Sequence, residues 1–136
     1  MGALVLRREA RSEHALTLAE RLLYHQIHPI KVFSDVATAV VALDLFWRQL
    51  LGPGLVIGCA VPILVSAALI GEVDLEHYRR SAMGAYLRRF MPASVHALRF
   101  FGVALAFYAA WYHVPAGIVG GLALTAVCWA NGIGRR

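Results

Sequence analysis

The sequence predicts an all-α, polytopic membrane protein: four transmembrane helices, an N-terminal amphipathic interfacial helix and a second interfacial helix in the central cytoplasmic loop. Two observations predict it. Of the 136 residues, 60% are hydrophobic and 15% charged, with a mean hydropathy of +0.63, whereas soluble domains are about 45–50% apolar and about 25% charged. The apolar residues also fall into four runs near the length of about 20 residues that a bilayer requires. This composition excludes an ordinary cytosolic enzyme, a disordered tail and a secreted disulfide scaffold.

The first expected element is an amphipathic helix over residues 7–28. Leucine and alanine side chains fall on one half of its helical wheel, and Glu, His, Arg and Tyr side chains on the other. This pattern is typical of a helix that lies in the membrane interface or docks on a bundle. Pro29 ends it, because proline breaks a helix interior.

The rest of the chain is expected to form four spans within a single domain, 1–136. The central segment 72–92 carries acids first and arginines later, which suits the dipole of a helix with Asp74 as its N-cap. Gly52-Pro53-Gly54 predicts a tight turn, and Pro62 predicts a kink inside the second span. The predicted spans are 32–51, 55–70, 93–114 and 116–133.

The distribution of basic residues predicts the orientation. Twelve arginines and one lysine against eight acids give a net charge of +5, and the basic residues cluster before the first span, in the central loop and at the C-terminus. Cytoplasmic loops carry an excess of Lys and Arg. Both termini are therefore expected in the cytoplasm, in a bacterial plasma (inner) membrane. Because the basic residues flank apolar runs, they predict contact with anionic lipids rather than with nucleic acid.

Small residues at four-residue spacing predict close helix packing. They occur on the second, third and fourth spans, as Gly54 and Gly58; Gly102, Ala106 and Ala110; and Gly117, Gly121 and Thr125. Packing inside one bundle is favoured over a homo-oligomer interface. Because the bundle is short, we expect any ligand site to be shared between subunits or with a partner membrane subunit.

Two intramembrane polar pairs are expected. Asp44 lies about 18 Å from the inner end of the first span, close to mid-membrane, where a carboxylate marks function or a specific partner. Arg48 is one turn away on the same face, so the two can pair. Asp35, near the cytoplasmic surface, is expected to form an interhelical salt bridge with Arg99 of the third span.

The cytoplasmic rim holds the remaining candidates. His25 and His28 have metal-ligand spacing and, with Asp74, would suffice for a divalent metal as cofactor. Arginine forks match phosphate oxygens, and His25, His77 and Asp35 would be the candidate catalytic groups for phosphoryl chemistry. The candidate phosphate or lipid ligands are Lys31, Arg79, Arg80, Arg88 and Arg89.

Three functions remain open. The leading expectation is an accessory or scaffold subunit of a membrane complex, or a module that binds anionic lipid. The second is a membrane enzyme acting on a lipid phosphate headgroup at the cytoplasmic face. The third is a small oligomeric transporter that uses Asp44 as a proton-coupled carboxylate. P-loop, GxGxxG, CxxC, HExxH and GxSxG motifs are absent from the sequence, so none of the chemistry they support is indicated.

Overall fold

The computed structural model describes residues 15–133, and every regular element in that range is helical. Its helices run up and down between two ends of a bundle. In chain order they are α1 (Leu18–Tyr24), a 3-10 turn (His25–Ile27), α2 (Pro29–Trp47), α3 (Leu51–Glu72, with a π turn at Val56–Ala60), α4 (Glu76–Arg79), α5 (Ala82–Phe90), α6 (Ala93–Trp111) and α7 (Pro115–Ala130).

Side chains define where several helices begin. A capping box starts α1, in which the Thr17 hydroxyl accepts from the Glu20 amide at 3.2 Å and the Glu20 carboxylate accepts from the Thr17 amide at 2.8 Å. The His28 Nδ1 accepts from the Ile30 amide at the start of α2, and the Ser81 hydroxyl caps α5. Each cap satisfies an amide that a helix start leaves without an intrahelical partner.

Two hairpins, α2–α3 and α6–α7, turn in the same way. Gln49 and His113 both adopt the left-handed conformation, with φ of 58° and 57°. The next residue then donates back across the helix end, from Leu50 to the Leu45 carbonyl at 2.9 Å and from Val114 to the Ala109 carbonyl at 2.8 Å. These are Schellman motifs, which usually carry glycine at the left-handed position. The pair of identical turns is a structural repeat that the sequence does not display.

The Schellman turns shorten two predicted helices. The first turn lies at residues 48–50, so the prediction of a turn at Gly52-Pro53-Gly54 was wrong. Pro53 instead sits in the first turn of α3, where its missing amide has no intrahelical acceptor to lose. Likewise α6 ends at Trp111, before the predicted Val114.

Small residues pack the helices inside the bundle. A Cβ on Gly102 would lie 2.7 Å from the Gly121 carbonyl oxygen, and one on Gly117 would lie 2.6 Å from the Ala109 Cβ. Gly58 of α3 likewise faces Ala42 and Phe107. The glycines therefore let α6 approach α7, and α3 approach α2 and α6, in agreement with the favoured expectation of intrachain packing.

Two helices are long and apolar enough to cross a membrane, α3 with 22 residues and α6 with 19. The apolar helix α7 is shorter, and α2 contains the three charged residues Lys31, Asp35 and Asp44.

The first helix is turned the opposite way from a helix docked on a soluble core. Its residues Tyr24 and His25 are buried, whereas Leu18 and Leu22 are 67% and 47% exposed. Part of its polar half therefore faces the bundle. The reason is that its polar side chains find hydrogen-bond partners inside the bundle. The predicted residues 7–14 lie outside the described residues.

The central segment forms two helices rather than the single predicted helix. The chain breaks after Arg79, because Ser81 caps a new helix through the Gly84 amide at 3.0 Å. Asp74 is not the N-cap residue of α4, but its carboxylate does accept from the Glu76 amide at 3.0 Å. The buried residues of α5 are Gly84 and Leu87, and Met91 directly after the helix is buried as well.

Candidate functional site

Polar side chains converge at the end of the bundle where α1, α4 and α5 lie, which we call the polar end. They satisfy carbonyl groups in or beyond the last turns of four helices, which have no intrahelical partner. Arg21 donates to Ile70 of α3 at 2.6 Å, and Asn131 donates to Phe90 of α5 at 2.7 Å. The Tyr86 hydroxyl lies 2.7 Å from the carbonyl oxygen of Trp129, in the last turn of α7. The polar end is thus held together by side chains that cap their neighbours.

The arginines of the central segment differ in how closely they are held by their neighbours. Arg88 donates to the Tyr24 hydroxyl at 2.6 Å and to the Arg79 carbonyl at 2.9 Å. Arg79 and Arg80 approach Glu76 at 3.8 and 3.7 Å, at the loose end of ion pairing. Arg89 stacks on its neighbour Phe90. Arg80 and Arg89 are exposed and so remain accessible to an anion at the surface.

An open apolar groove of about 570 Å³ lies at the polar end. Its volume falls within the range of about 300–1,000 Å³ typical of small-molecule sites. His77, Tyr78 and Ser81 supply its polar edge, next to Arg79 and Arg80 in the chain. Its apolar walls come from the 3-10 turn, α2, α5 and α7, and they are Ile27, Val32, Met83 and Trp129.

Lys31 turns into the bundle instead of towards the end of α2. Its ammonium pairs with Asp35, one turn on, and donates to the Pro62 carbonyl of α3 at 3.1 Å. Its side chain is 8% exposed, whereas that of Asp35 is 45% exposed. Pro62 follows the π turn at Val56–Ala60, and such turns are frequent at functional sites. The sequence suggested Lys31 as a phosphate ligand at the surface. In the structure its ammonium is instead held by Asp35 and the Pro62 carbonyl.

The expected salt bridge between Asp35 and Arg99 does not form. Asp35 pairs with Lys31, and Arg99 donates through Nη2 to the Gln26 side chain at 2.8 Å. The Arg99 guanidinium also stacks over the ring of Trp129, with its Cζ 4.7 Å from the ring centre. Asp35 has a nearer cation on its own helix, so the spacing within α2 decides its partner.

Arg99 remains without an acidic partner among residues 15–133 and is only 8% exposed. Its Nη1 is buried and makes no hydrogen bond within that range. Both ring nitrogens of His96, one turn earlier on α6, are also buried and unpartnered there. Leaving a buried polar group unsatisfied costs about 1–3 kcal/mol, and more for a charged group. Three of the four buried and unpartnered side-chain atoms in residues 15–133 therefore belong to His96 and Arg99.

The candidate catalytic groups are not brought into mutual contact. His25 is buried, and its Nδ1 donates to the Arg21 carbonyl at 3.2 Å. Burial lowers the pKa of His25, and the nearby Lys31 lowers it further, so the ring is neutral near pH 7. His77 is exposed and packs against Tyr78. Asp35 is held by Lys31. No hydrogen bond links any two of the three.

The predicted metal site is not assembled in the part of the chain that the structure describes, where no three His, Cys, Asp or Glu side chains are close enough to hold a metal ion. The His28 Nδ1 is occupied in capping α2, and His25 is turned to the Arg21 carbonyl. Asp74 accepts the Glu76 amide. Each of the three proposed ligands is therefore engaged locally.

Asp44 and Arg48 form an ion pair at 2.9 Å at the end of the bundle opposite the polar end. Both side chains are more than half exposed. Because α2 ends at Trp47, Asp44 lies one turn from the helix end rather than near its middle. The two residues face outward and do not line a path through the bundle.

Sequence reasoning missed the roles of Gln26, His96 and Trp129, which surround the Arg99 guanidinium or lie one turn from it. The i, i+3 spacing of His96 and Arg99 was the available signal, because such residues share one helix face. The contacts with Gln26 and Trp129 join residues 73 and 30 positions from Arg99, and no local pattern encodes them.

Comparisons of this chain with protein-family models, with curated proteins and with solved structures found no match. The functional argument therefore depends on the residues and contacts described above.

Proposed function

We propose that the chain is a small integral membrane protein whose polar end binds an anionic phospholipid. It would act as a lipid-binding module or as an accessory subunit of a membrane complex. The observation that carries the proposal is the apolar groove of Ile27, Val32, Met83 and Trp129, whose polar edge residues Tyr78 and Ser81 flank Arg79 and Arg80 in the chain. An acyl chain suits the apolar walls, and a phosphate suits the arginine forks.

The exposed surface supports a lipid environment. Only 11% of the residues in the most apolar stretch of α3, and 28% of those in α6, are buried inside the bundle. The core helix of a soluble protein would be mostly buried. Large apolar side chains such as Phe33, Ile63 and Phe100 instead point outward, and a monomeric soluble protein rarely exposes so much apolar surface. We therefore infer that lipid covers α2, α3, α6 and α7, which would make four spans.

The charge distribution supports a cytoplasmic position for the polar end. Its basic side chains outnumber its acids, whereas Arg48 and Asp44 balance each other at the opposite end. Basic residues accumulate on the cytoplasmic side. Anionic lipids attract such segments by about 1 kcal/mol per basic residue near the surface.

The proposal is tested by measuring which lipids the purified protein retains. In nanodiscs of mixed phosphatidylcholine and phosphatidylglycerol, native mass spectrometry is expected to show preferential retention of phosphatidylglycerol. The double variant Arg80→Gln/Arg89→Gln should weaken this preference, and Met83→Trp should reduce retention by filling the groove.

Arg48→Gln provides a matched control, because Arg48 is also an exposed arginine but lies at the opposite end of the bundle. It should leave the lipid preference unchanged. Equal retention of the two lipids by the unaltered protein would refute the proposal.

A further inference from the structure

The guanidinium of Arg99 is a buried cation that forms no ion pair within residues 15–133, since Asp35, whose charge acts on it, is already paired with Lys31. Lys31 and Asp35 neutralise each other, and burial keeps His25 neutral near pH 7. Arg99 itself is always charged. Arginine in the interior of a helix bundle is expected to pair with an acid, and here it has only the amide of Gln26 and the ring of Trp129.

The unpartnered atoms specify the chemistry of what is missing. Arg99 Nη1 can only donate hydrogen bonds, and a histidine ring carries at least one N–H in either tautomer. Nη1 and at least one nitrogen of His96 are therefore donors without acceptors within residues 15–133. A ligand that satisfies both must accept hydrogen bonds and must carry negative charge to balance Arg99. An oxyanion meets both requirements, whereas a buried water meets only the first.

The position of Trp129 connects this cluster to the lipid groove. The Trp129 ring stacks on the Arg99 guanidinium and also forms part of the groove wall. Gln26, which holds the other terminal nitrogen of Arg99, directly precedes the groove residue Ile27. Trp129 thus belongs both to the groove wall and to the surroundings of the buried cation.

We propose that Arg99 and His96 bind the phosphate of the anionic phospholipid whose chain occupies the groove, with Trp129 turning aside to admit the headgroup. This inference rests on the proposed function and assigns it a specific binding residue. Arg99 lies six residues into α6, about 9 Å from its start at 1.5 Å per residue, so the bound phosphate would sit below the level of the surface arginines.

The test compares the unaltered protein with Arg99→Leu in two nanodiscs, one of phosphatidylcholine alone and one that also contains phosphatidylglycerol. In the unaltered protein, phosphatidylglycerol should raise the Tm, and native mass spectrometry should show one tightly held molecule of it. Arg99→Leu should lose both effects. In phosphatidylcholine alone, its Tm should equal or exceed that of the unaltered protein, because an uncompensated buried charge has been removed.

A purely structural role for Arg99 predicts a different result. Arg99→Leu would then lower the Tm by the same amount in both nanodiscs and would still retain the lipid, which would overturn the inference. His96→Leu is a second variant that keeps Arg99 in place. It should weaken retention of phosphatidylglycerol about tenfold, as expected for one hydrogen bond to a charged group, and unchanged retention would count against the site.

Two further comparisons distinguish a lipid phosphate from free phosphate, and a failure of the Arg99 site from a failure of the proposed function. If millimolar inorganic phosphate raised the Tm in phosphatidylcholine as much as the lipid does, the ligand would be a free oxyanion, and the assignment to a lipid would be wrong. A preference for phosphatidylglycerol that is lost in Arg80→Gln/Arg89→Gln but kept in Arg99→Leu would refute this site alone. Absence of any preference in the unaltered protein would refute the proposed function as well.

Discussion

Breaking the ion pair between Lys31 and Asp35 should destabilise the protein asymmetrically. Asp35→Asn leaves the Lys31 ammonium buried with only neutral oxygens as partners, among them the Pro62 carbonyl, and with no negative charge to balance it. Removing one partner of a buried pair costs about 3–5 kcal/mol, because the remaining charge is uncompensated. Lys31→Met leaves the carboxylate instead. Since the Asp35 side chain retains 45% of its surface, it can take up a proton or reach water, and the cost should be smaller, about 1–3 kcal/mol.

The pair Asp44–Arg48 is a matched control, since it has the same i, i+4 spacing but both side chains are exposed. Asp44→Asn should cost about 0.3–0.5 kcal/mol, the usual value for an exposed helical pair. The assay is the free energy of unfolding in detergent micelles, measured for each single variant and for the double variant Lys31→Met/Asp35→Asn. The double variant should be more stable than Asp35→Asn alone. Equal small losses at both pairs would show that Lys31 is not held in the interior.

Three other substitutions test separate parts of the fold. Gly121→Ala should cost about 1–3 kcal/mol of stability by overpacking, because a Cβ there would meet the backbone of α6. Gly120→Ala should be neutral or stabilising, because a Cβ there would meet no atom within 4 Å. Thermal melts of both variants check this. Because the pKa of His25 is lowered in the folded protein, the unfolded chain binds the proton first as the pH falls. The contribution of His25 to stability should therefore be constant above about pH 7 and fall below about 6.5. His25→Gln should flatten that part of a Tm-against-pH curve. Gln49→Gly should raise the free energy of unfolding by about 1 kcal/mol, because the left-handed φ of 58° is strained for glutamine but not for glycine. A loss of stability would contradict the assigned turn.

The order and approximate extent of the helices could be predicted, because hydrophobic periodicity and proline positions act locally. Pro29 does separate the first two helices as predicted, although α2 begins at Pro29 itself rather than at residue 32, and the small residues of α6 and α7 do pack together. The position of the turn between α2 and α3, at residues 48–50, could not be predicted. Gly52 and Pro53 are strong local turn signals, yet the chain turns at Gln49, where the hydrogen bonds of a Schellman motif and the packing of the hairpin outweigh the residue preference.

The polar contacts were predicted only where one helix contains both partners. Asp44 with Arg48 needed only the i, i+4 rule. Whether Asp35 pairs with Lys31 or with Arg99 depends on the direction of the side chains. The position of each residue along its helix, which is all that the sequence provides, does not give that direction. The polar contacts of α1 could not be predicted either, because their partners are distant in the sequence. Arg21 contacts the Ile70 carbonyl, 49 residues away, and Tyr24 contacts Arg88, 64 residues away.

The most direct test of the account is the topology of the polar end and the two hairpin turns. Single cysteines at Ala15, Gln49, Arg80, His113 and Ile133, placed in a chain whose two native cysteines are replaced by alanine, would be labelled with a membrane-impermeant maleimide in sealed vesicles of known orientation. We expect Gln49 and His113 to react from the outer side, and the other three positions to react only after the inner side is made accessible. Labelling of Ala15 or Ile133 from the same side as Gln49 would contradict four membrane-spanning helices with a single cytoplasmic polar end.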